Sequence, residues 1–175
     1  MKNNLLKYKN HYPIIGNNVL LAKGSIIIGD VVIGDNSSIW YNCVLRGDVN
    51  RIIIGKGINL QDSSVIHVDH NEKGETIIGD NVTIGHQVLL HACKIESNAF
   101  VGMGSVIMDH ARMEEFSMLA AGSLLTKNKI IKSGELWAGR PAKFLRLLSD
   151  EEKQGIIDSA IFYQNLSKDH IPINQ

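Results

Sequence analysis

A six-residue rhythm of aliphatic side chains constrains this chain more than any other feature. Counting in sixes from Ile15 gives Leu21, Ile27, Ile33, Ile39 and Leu45. The frame slips by three residues near Asn50-Arg51-Ile52 and resumes at Ile54, Leu60 and Ile66. It returns after an interruption at Ile78, Ile84 and Leu90, loses one residue, and runs through Ile95, Val101, Ile107, Met113, Leu119 and Leu125. Four residues after most of these stands a small or β-branched side chain: Val19, Ser25, Val31, Ser37, Cys43, Ser64, Val82, Val88, Ala99, Ser105, Ala111, Ser117 and Ser123. Two positions in six therefore point inward. A period of six is neither that of a helix nor that of a plain strand. It suits a short strand followed by a turn, with three such units closing a triangular coil of about eighteen residues. Coils stacked at the strand spacing of roughly 4.8 Å place equivalent residues in columns. An ordinary β-sandwich would have to treat the whole series as coincidence.

The segments flanking the repeat read differently. Met1 to about Tyr12 is polar and lysine-rich, and is expected to cap the first coil, since an uncovered solenoid end exposes unpaired backbone and bare core. Coils are expected over about 14–127. Leu136 to Lys143 follows, with Gly139 and Pro141 marking a sharp exit. A helix is expected over about 149–167. Ser149 with Glu152 forms a capping box, Asp150 and Glu151 favour the first turn, and Ile156, Ile157, Ala160, Ile161 and Leu166 supply an apolar stripe. The tail from Lys168 reads as loosely held. The whole chain, 1–175, reads as one domain.

Lys plus Arg equals Asp plus Glu at 18 each, so no net field draws the chain to nucleic acid or an anionic membrane. A small neutral substrate suits this balance. With two cysteines, Cys43 and Cys93, and no long apolar run, the expectation is a cytoplasmic protein.

The repeat then places the polar residues. With the three residues after Asn50 and about six within Val68 to Ile77 treated as excursions, Leu45, Ile66 and Leu90 share one face of successive coils. Arg46, His67 and His91 each follow one of these and stand outward in one column. Two histidines one strand apart can approach one cation, because Zn–N bonds are only about 2.0–2.1 Å. His86 lies on the turn leading into that face, and Asp62 holds the equivalent place one coil earlier. A corner residue is poorly placed to complete the column's site within one chain and well placed to complete a neighbour's across a threefold axis. His11, His70, His110 and His170 lack this register and read as ordinary surface residues. Met103 and Met108 fall on the columns above His86 and His91, as apolar lining.

The steps from His67 to His86 and from His86 to His91 resemble the metal ligands of gamma-class carbonic anhydrases and their short bacterial homologues. Arg46-Gly47-Asp48 resembles that family's Arg-Gly-Asp segment, and Asn59-Leu60-Gln61-Asp62 its Asn-x-Gln-Asp segment. The exit at Gly139 to Lys143 and the helix bearing Tyr163 extend the likeness over nearly the whole chain. The resemblance implies an all-β fold, a left-handed parallel β-helix with a C-terminal α-helix, an exception to the right-handed crossover rule. It implies a homotrimer in which His67 and His91 come from one subunit and His86 from the next. It further implies zinc, or iron or cobalt, and reversible hydration of carbon dioxide to bicarbonate by a metal-bound hydroxide. Gln61 would orient that hydroxide, and Asn59 and Tyr163 would line the pocket. Arg46 and Asp62 would form an ion pair at the interface, joined by Asp48. The segment Val68 to Glu75 is short and mixed in charge, without the acidic proton-exporting loop of the archaeal type. A CoA-linked acyltransferase or thioesterase on the same scaffold is the alternative function, and a structural or assembly role a third.

Overall fold

The computed structural model describes residues 4–172. Its strands form three parallel columns. One contains Val44–Arg46 of a longer strand, Val65–His67, Leu89–His91, Val106–Ile107 and Leu124–Leu125. A second contains Ile52–Ile54, Thr76–Ile78, Lys94–Ile95, Arg112–Met113 and Ile130–Ile131. The third runs from Leu20–Leu21 through Ser38–Ile39, Asn59–Leu60, Thr83–Ile84, Phe100–Val101 and Met118–Leu119 to Glu135–Gly139. Strands Ile26–Ile33 and Val44–Ile54 bend across a corner and join the first two columns into one sheet.

The inward positions are those of the six-residue frame. Ile27, Ile39, Leu45, Leu60, Ile66, Ile84, Leu90, Ile107, Leu119 and Leu125 have no exposed surface, and Ser37, Ser64, Ser105 and Ser117 fill the alternate sites. Small side chains are needed there because three faces converge on one narrow axis. Their hydroxyls are satisfied by backbone carbonyls, as Ser64 Oγ donates to Gly85 O at 3.0 Å. Burying each large aliphatic contributes about 1.5–3 kcal/mol. The axial core therefore outweighs the short ladders in holding the coils together.

Turns between faces take the left-handed backbone region, and asparagine is frequent there: Asn36, Asn81 and Asn98 have φ of 57°, 55° and 55°. The two frame slips are real excursions. Gly29 pairs with Gly47 but Val31 with Ile52, which absorbs three extra residues of the longer strand. The longer coil between Ile66 and Leu90 is closed by a tight loop in which Asp69 N donates to Gly74 O at 2.8 Å.

The ends depart from expectation in several ways. Leu5–Leu6 does more than cover the first coil; it adds a parallel rung against Ile27 and Ile28. Residues 1–3 of the expected cap lie outside the described residues. The repeat runs past residue 127 to Ile131, which is fully buried. The exit after it is an antiparallel hairpin, Glu135–Gly139 with Ala142–Leu147. The helix spans Asp150–His170, longer than expected, so Lys168 to His170 belong to it and are not a loose tail. The residues beyond 172 lie outside the described ones.

The helix N-terminus carries the expected reciprocal capping box. Ser149 N donates to Glu152 Oε2 at 2.9 Å, and Glu152 N donates to Ser149 Oγ at 3.2 Å. Ile156 and Ala160 are buried, but Ile161 is 51% exposed. Tyr163, Leu166 and Ile171 pack instead on Leu20, Ala22 and Trp40. The helix thus runs back over the third column, from Phe100 and Met118 towards Leu20.

Candidate metal centre

His67 and His91 are direct Cα partners on neighbouring parallel strands, and their ring centroids lie 5.1 Å apart. They stand outward because Ile66 and Leu90 before them point fully inward. Arg46 follows Leu45, the partner of Ile66, and continues the column. The strand geometry thus brings together the residues that the repeat register placed there.

Each imidazole has a carboxylate partner. His67 Nε2 lies 3.0 Å from Asp48 Oδ1, and Arg46 donates to the other oxygen of Asp48 at 2.5 Å. His91 Nδ1 lies 2.5 Å from Asp109 Oδ1. His86 Nδ1 lies 2.9 Å from Asp62 Oδ2. His86 and Asp62 occupy stacked corners: Gln87 N donates to Asp62 O at 2.9 Å, and Ser63 and Gln87 both adopt positive φ. The expected corner column is therefore present. Within one chain Arg46 meets Asp48, while Asp62 meets His86. The Arg46–Asp62 pair implied by the family is not made inside the subunit.

Burial pulls the His67 pKa down, the hydrogen bond to Asp48 pulls it up, and the Arg46 charge pulls it down again; the result is below the ordinary value. A neutral imidazole, the form able to bind a metal, is favoured. For Asp48, burial acts upward but is outweighed by the hydrogen bonds from His67 and Arg46, so the carboxylate stays ionised below its usual range.

Gln61 and Asn59 form a second, buried group. Gln61 Nε2 donates to Asn59 Oδ1 at 3.0 Å, Asn59 Nδ2 donates to Thr83 Oγ1 at 2.9 Å, and that hydroxyl lies 3.2 Å from Ser159 Oγ on the helix. Asn59 is 1% exposed and reaches Gln61 from beneath. Tyr163 meets Trp40 edge to face at a centroid distance of 5.8 Å. Burial and the Asp62 charge both raise its pKa, so it remains a phenol. Cys43 and Cys93 are buried and pushed up to about 12, which makes them core residues without thiolate chemistry at neutral pH.

Two residues escaped the sequence reading. Asp109 shows no motif, and only its place one coil beyond His91 signals its contact with that ring. His170, read as ordinary surface, meets Trp40 edge to face with ring centroids 4.8 Å apart and meets Tyr41 Oη through Nδ1 at 3.0 Å, fixing the helix end. Met103 and Met108 do lie on the outer surface, 58% and 38% exposed.

Among the described residues, no group of three or more His, Cys, Asp and Glu side chains is gathered in one chain as a metal site. The donor set still fits a divalent ion of the zinc type. His67 and His91 each have one ring nitrogen hydrogen-bonded to a carboxylate, the arrangement that fixes the tautomer and leaves the other nitrogen as donor, and Asp62 lies 2.9 Å from His86 Nδ1.

Coiled strands in three parallel columns, with paired outward histidines on one of them, define a hexapeptide-repeat solenoid. A family model, bacterial transferase hexapeptide (six repeats), matches residues 12–47. The chain is 44% identical to the carbonic anhydrase of Geobacillus kaustophilus, over 83% of this chain and 79% of that one. It is 49% identical to mitochondrial gamma carbonic anhydrase 2 of Arabidopsis thaliana over 93% of its own length, but spans only 60% of that relative. Among solved structures, a hexapeptide transferase family protein from Anaplasma phagocytophilum is 54% identical, with a TM-score of 0.93 over 97% of this chain and 99% of that one. The chain belongs to the gamma carbonic anhydrase family, and its fold is the left-handed parallel β-helix of hexapeptide-repeat proteins. Among the described residues no helix is long and apolar enough to cross a membrane.

Proposed function

We propose that this chain is a metal-dependent carbonic anhydrase, interconverting carbon dioxide and bicarbonate at sites shared between subunits of a cyclic homotrimer. The observation that carries the reading is the register pairing of His67 with His91, with His86 held on a separate corner. Two donors in one column and a third turned away leave a site that a second copy completes. A divalent ion held by three imidazoles, zinc foremost and iron or cobalt as alternatives, would acidify bound water to a pKa near about 7 and so supply a nucleophile at neutral pH.

The chain's own residues do the rest. Asp48 holds His67 by one ring nitrogen, and Asp62 pairs with His86. Gln61, with its amide nitrogen committed to Asn59, would offer its carbonyl oxygen to the site as an acceptor. The Asn59–Thr83–Ser159 relay ties that orientation to the helix, and Trp40 and Tyr163 close the flank under it.

Metal analysis and stopped-flow carbon dioxide hydration on protein purified without chelator, beside His86→Ala, test this. Stoichiometric metal and hydration in the wild type, both lost in the variant, are expected. Metal lost in the variant with hydration absent from both would leave a structural metal and no enzyme. A metal-free protein that transfers acyl groups from CoA thioesters would replace the reading with the transferase alternative.

A further inference from the structure

The two column histidines are bracketed by carboxylates from opposite sides. Asp48 reaches His67 from the preceding coil, and Asp109 reaches His91 from the following coil, on the turn just after Met108. Asp48 is part of the Arg-Gly-Asp segment and shares its charge with Arg46. Asp109 has no Lys or Arg ion-pair partner among the described residues; its side chain is 22% exposed and its Oδ1 lies 2.5 Å from His91 Nδ1.

We infer that Asp109 is the positioning residue of the metal centre on the His91 side, holding that imidazole as the Nδ1–H tautomer so that Nε2 faces outward with its lone pair. The inference rests on the metal reading of His91. A carboxylate accepts only, so its hydrogen bond to a neutral imidazole places the proton on Nδ1. The ring's second freedom, rotation about its Cβ–Cγ bond, is restricted at the same time. His91 is the more exposed of the pair, its side chain 36% exposed against 18% for His67, so packing restrains it less and the hydrogen bond matters more. Asp109 does not touch the substrate in this assignment; it acts through His91.

The experiment compares wild type, Asp109→Ala, Asp109→Asn and His91→Ala. Zinc affinity is measured by competition with a chromophoric chelator, and histidine tautomers are read in the metal-free protein by nitrogen-15 NMR. Asp109→Ala is expected to lose about 10–100-fold in zinc affinity and to show His91 as a tautomer mixture. Asp109→Asn, whose side-chain oxygen can still accept from Nδ1–H, is expected to keep the tautomer and recover most of the affinity. Thermal unfolding of each metal-free variant controls for folding; a general loss of structure in Asp109→Ala leaves Asp109→Asn and the wild-type tautomer to decide. Wild-type affinity in Asp109→Ala, or a wild type in which His91 carries its proton on Nε2, overturns the role of Asp109. A wild type that binds zinc no better than His91→Ala overturns the metal reading itself, and the role of Asp109 with it.

Discussion

His67 and His91 face the same direction from adjacent rungs although the coil between them is lengthened by a loop at 69–75. The ladder pairs them Cα to Cα, and the loop closes on itself through Asp69 N and Gly74 O. The extra residues are therefore looped out whole and leave the register intact. A one-residue error here would turn one imidazole into the core and the following residue outward, since strand side chains alternate. The site is a consequence of register, and register is enforced by what lies beneath it.

Ile66 is the residue beneath His67 and has no exposed surface. Ile66→Ala leaves a cavity on the narrow prism axis, where flanking coils cannot close without breaking their own ladders. The expected cost is about 2–5 kcal/mol, seen as a lower denaturant midpoint at fixed protein concentration. A midpoint unchanged from wild type would mean that the axial core is not what holds the coils.

Gly47, in the Arg-Gly-Asp segment, has a purely steric reason to be glycine. A Cβ there would lie 2.6 Å from the carbonyl oxygen of Asp30, which is backbone and cannot rotate away. Gly47→Ala must push the strand outward and carry Arg46 and Asp48 with it. The expected result is a loss of about 1–3 kcal/mol, together with zinc affinity lowered by release of Asp48 from His67. Chelator competition and thermal unfolding read the two effects separately.

How much of this was legible in the sequence follows from what repeats. The inward residues recur every six positions, so the three columns and the pairing of His67 with His91 could be counted out, and even the two excursions announced themselves as slips of the frame. At the ends no period accumulates. Leu5–Leu6 is a two-residue strand with nothing before it to set a phase, and the hairpin at Glu135–Leu147 abandons the repeat altogether. Asp109 was invisible for a different reason: an aspartate on a turn is commonplace, and only counting one coil forward from His91 reveals its partner. His170 meets Tyr41 across the length of the chain, a contact no local pattern encodes.

The helix is tied to the hairpin by charge, and acid should loosen it. Arg146 donates to both oxygens of Glu152 at 2.7 and 2.8 Å, and the Ser149 backbone also donates to this carboxylate; together they lower its pKa from 4.5 to about 2. A carboxylate with a depressed folded-state value stabilises fully above its unfolded value, near 4.5, and that contribution is lost as pH falls through about 2. The pair is exposed, so the effect is screened by salt. In Glu152→Gln the fall in melting temperature between these two pH values should be shallower than in wild type. An acid limb identical in both proteins would remove the pair from any role in holding the helix.

The split between column and corner makes a prediction that no single-chain site can meet. In the proposed cyclic trimer each site would draw His67 and His91 from one subunit and His86 from its neighbour. A His67→Ala homotrimer and a His86→Ala homotrimer then both lack every complete site. Co-expressed, the two variants assemble mixed trimers, and going round such a ring there is always one junction where an intact column meets an intact corner. That junction regains zinc and hydration, while the junction opposite in sense carries both defects. The same mixing of His67→Ala with His91→Ala should restore nothing, because those two residues belong to one subunit's column. Differently tagged subunits, purified in tandem and assayed for zinc by mass spectrometry, separate the cases. Recovery in the first mixture alone establishes the shared site. Equal absence of metal from both mixtures would place all three histidines in one chain or take them out of metal binding altogether.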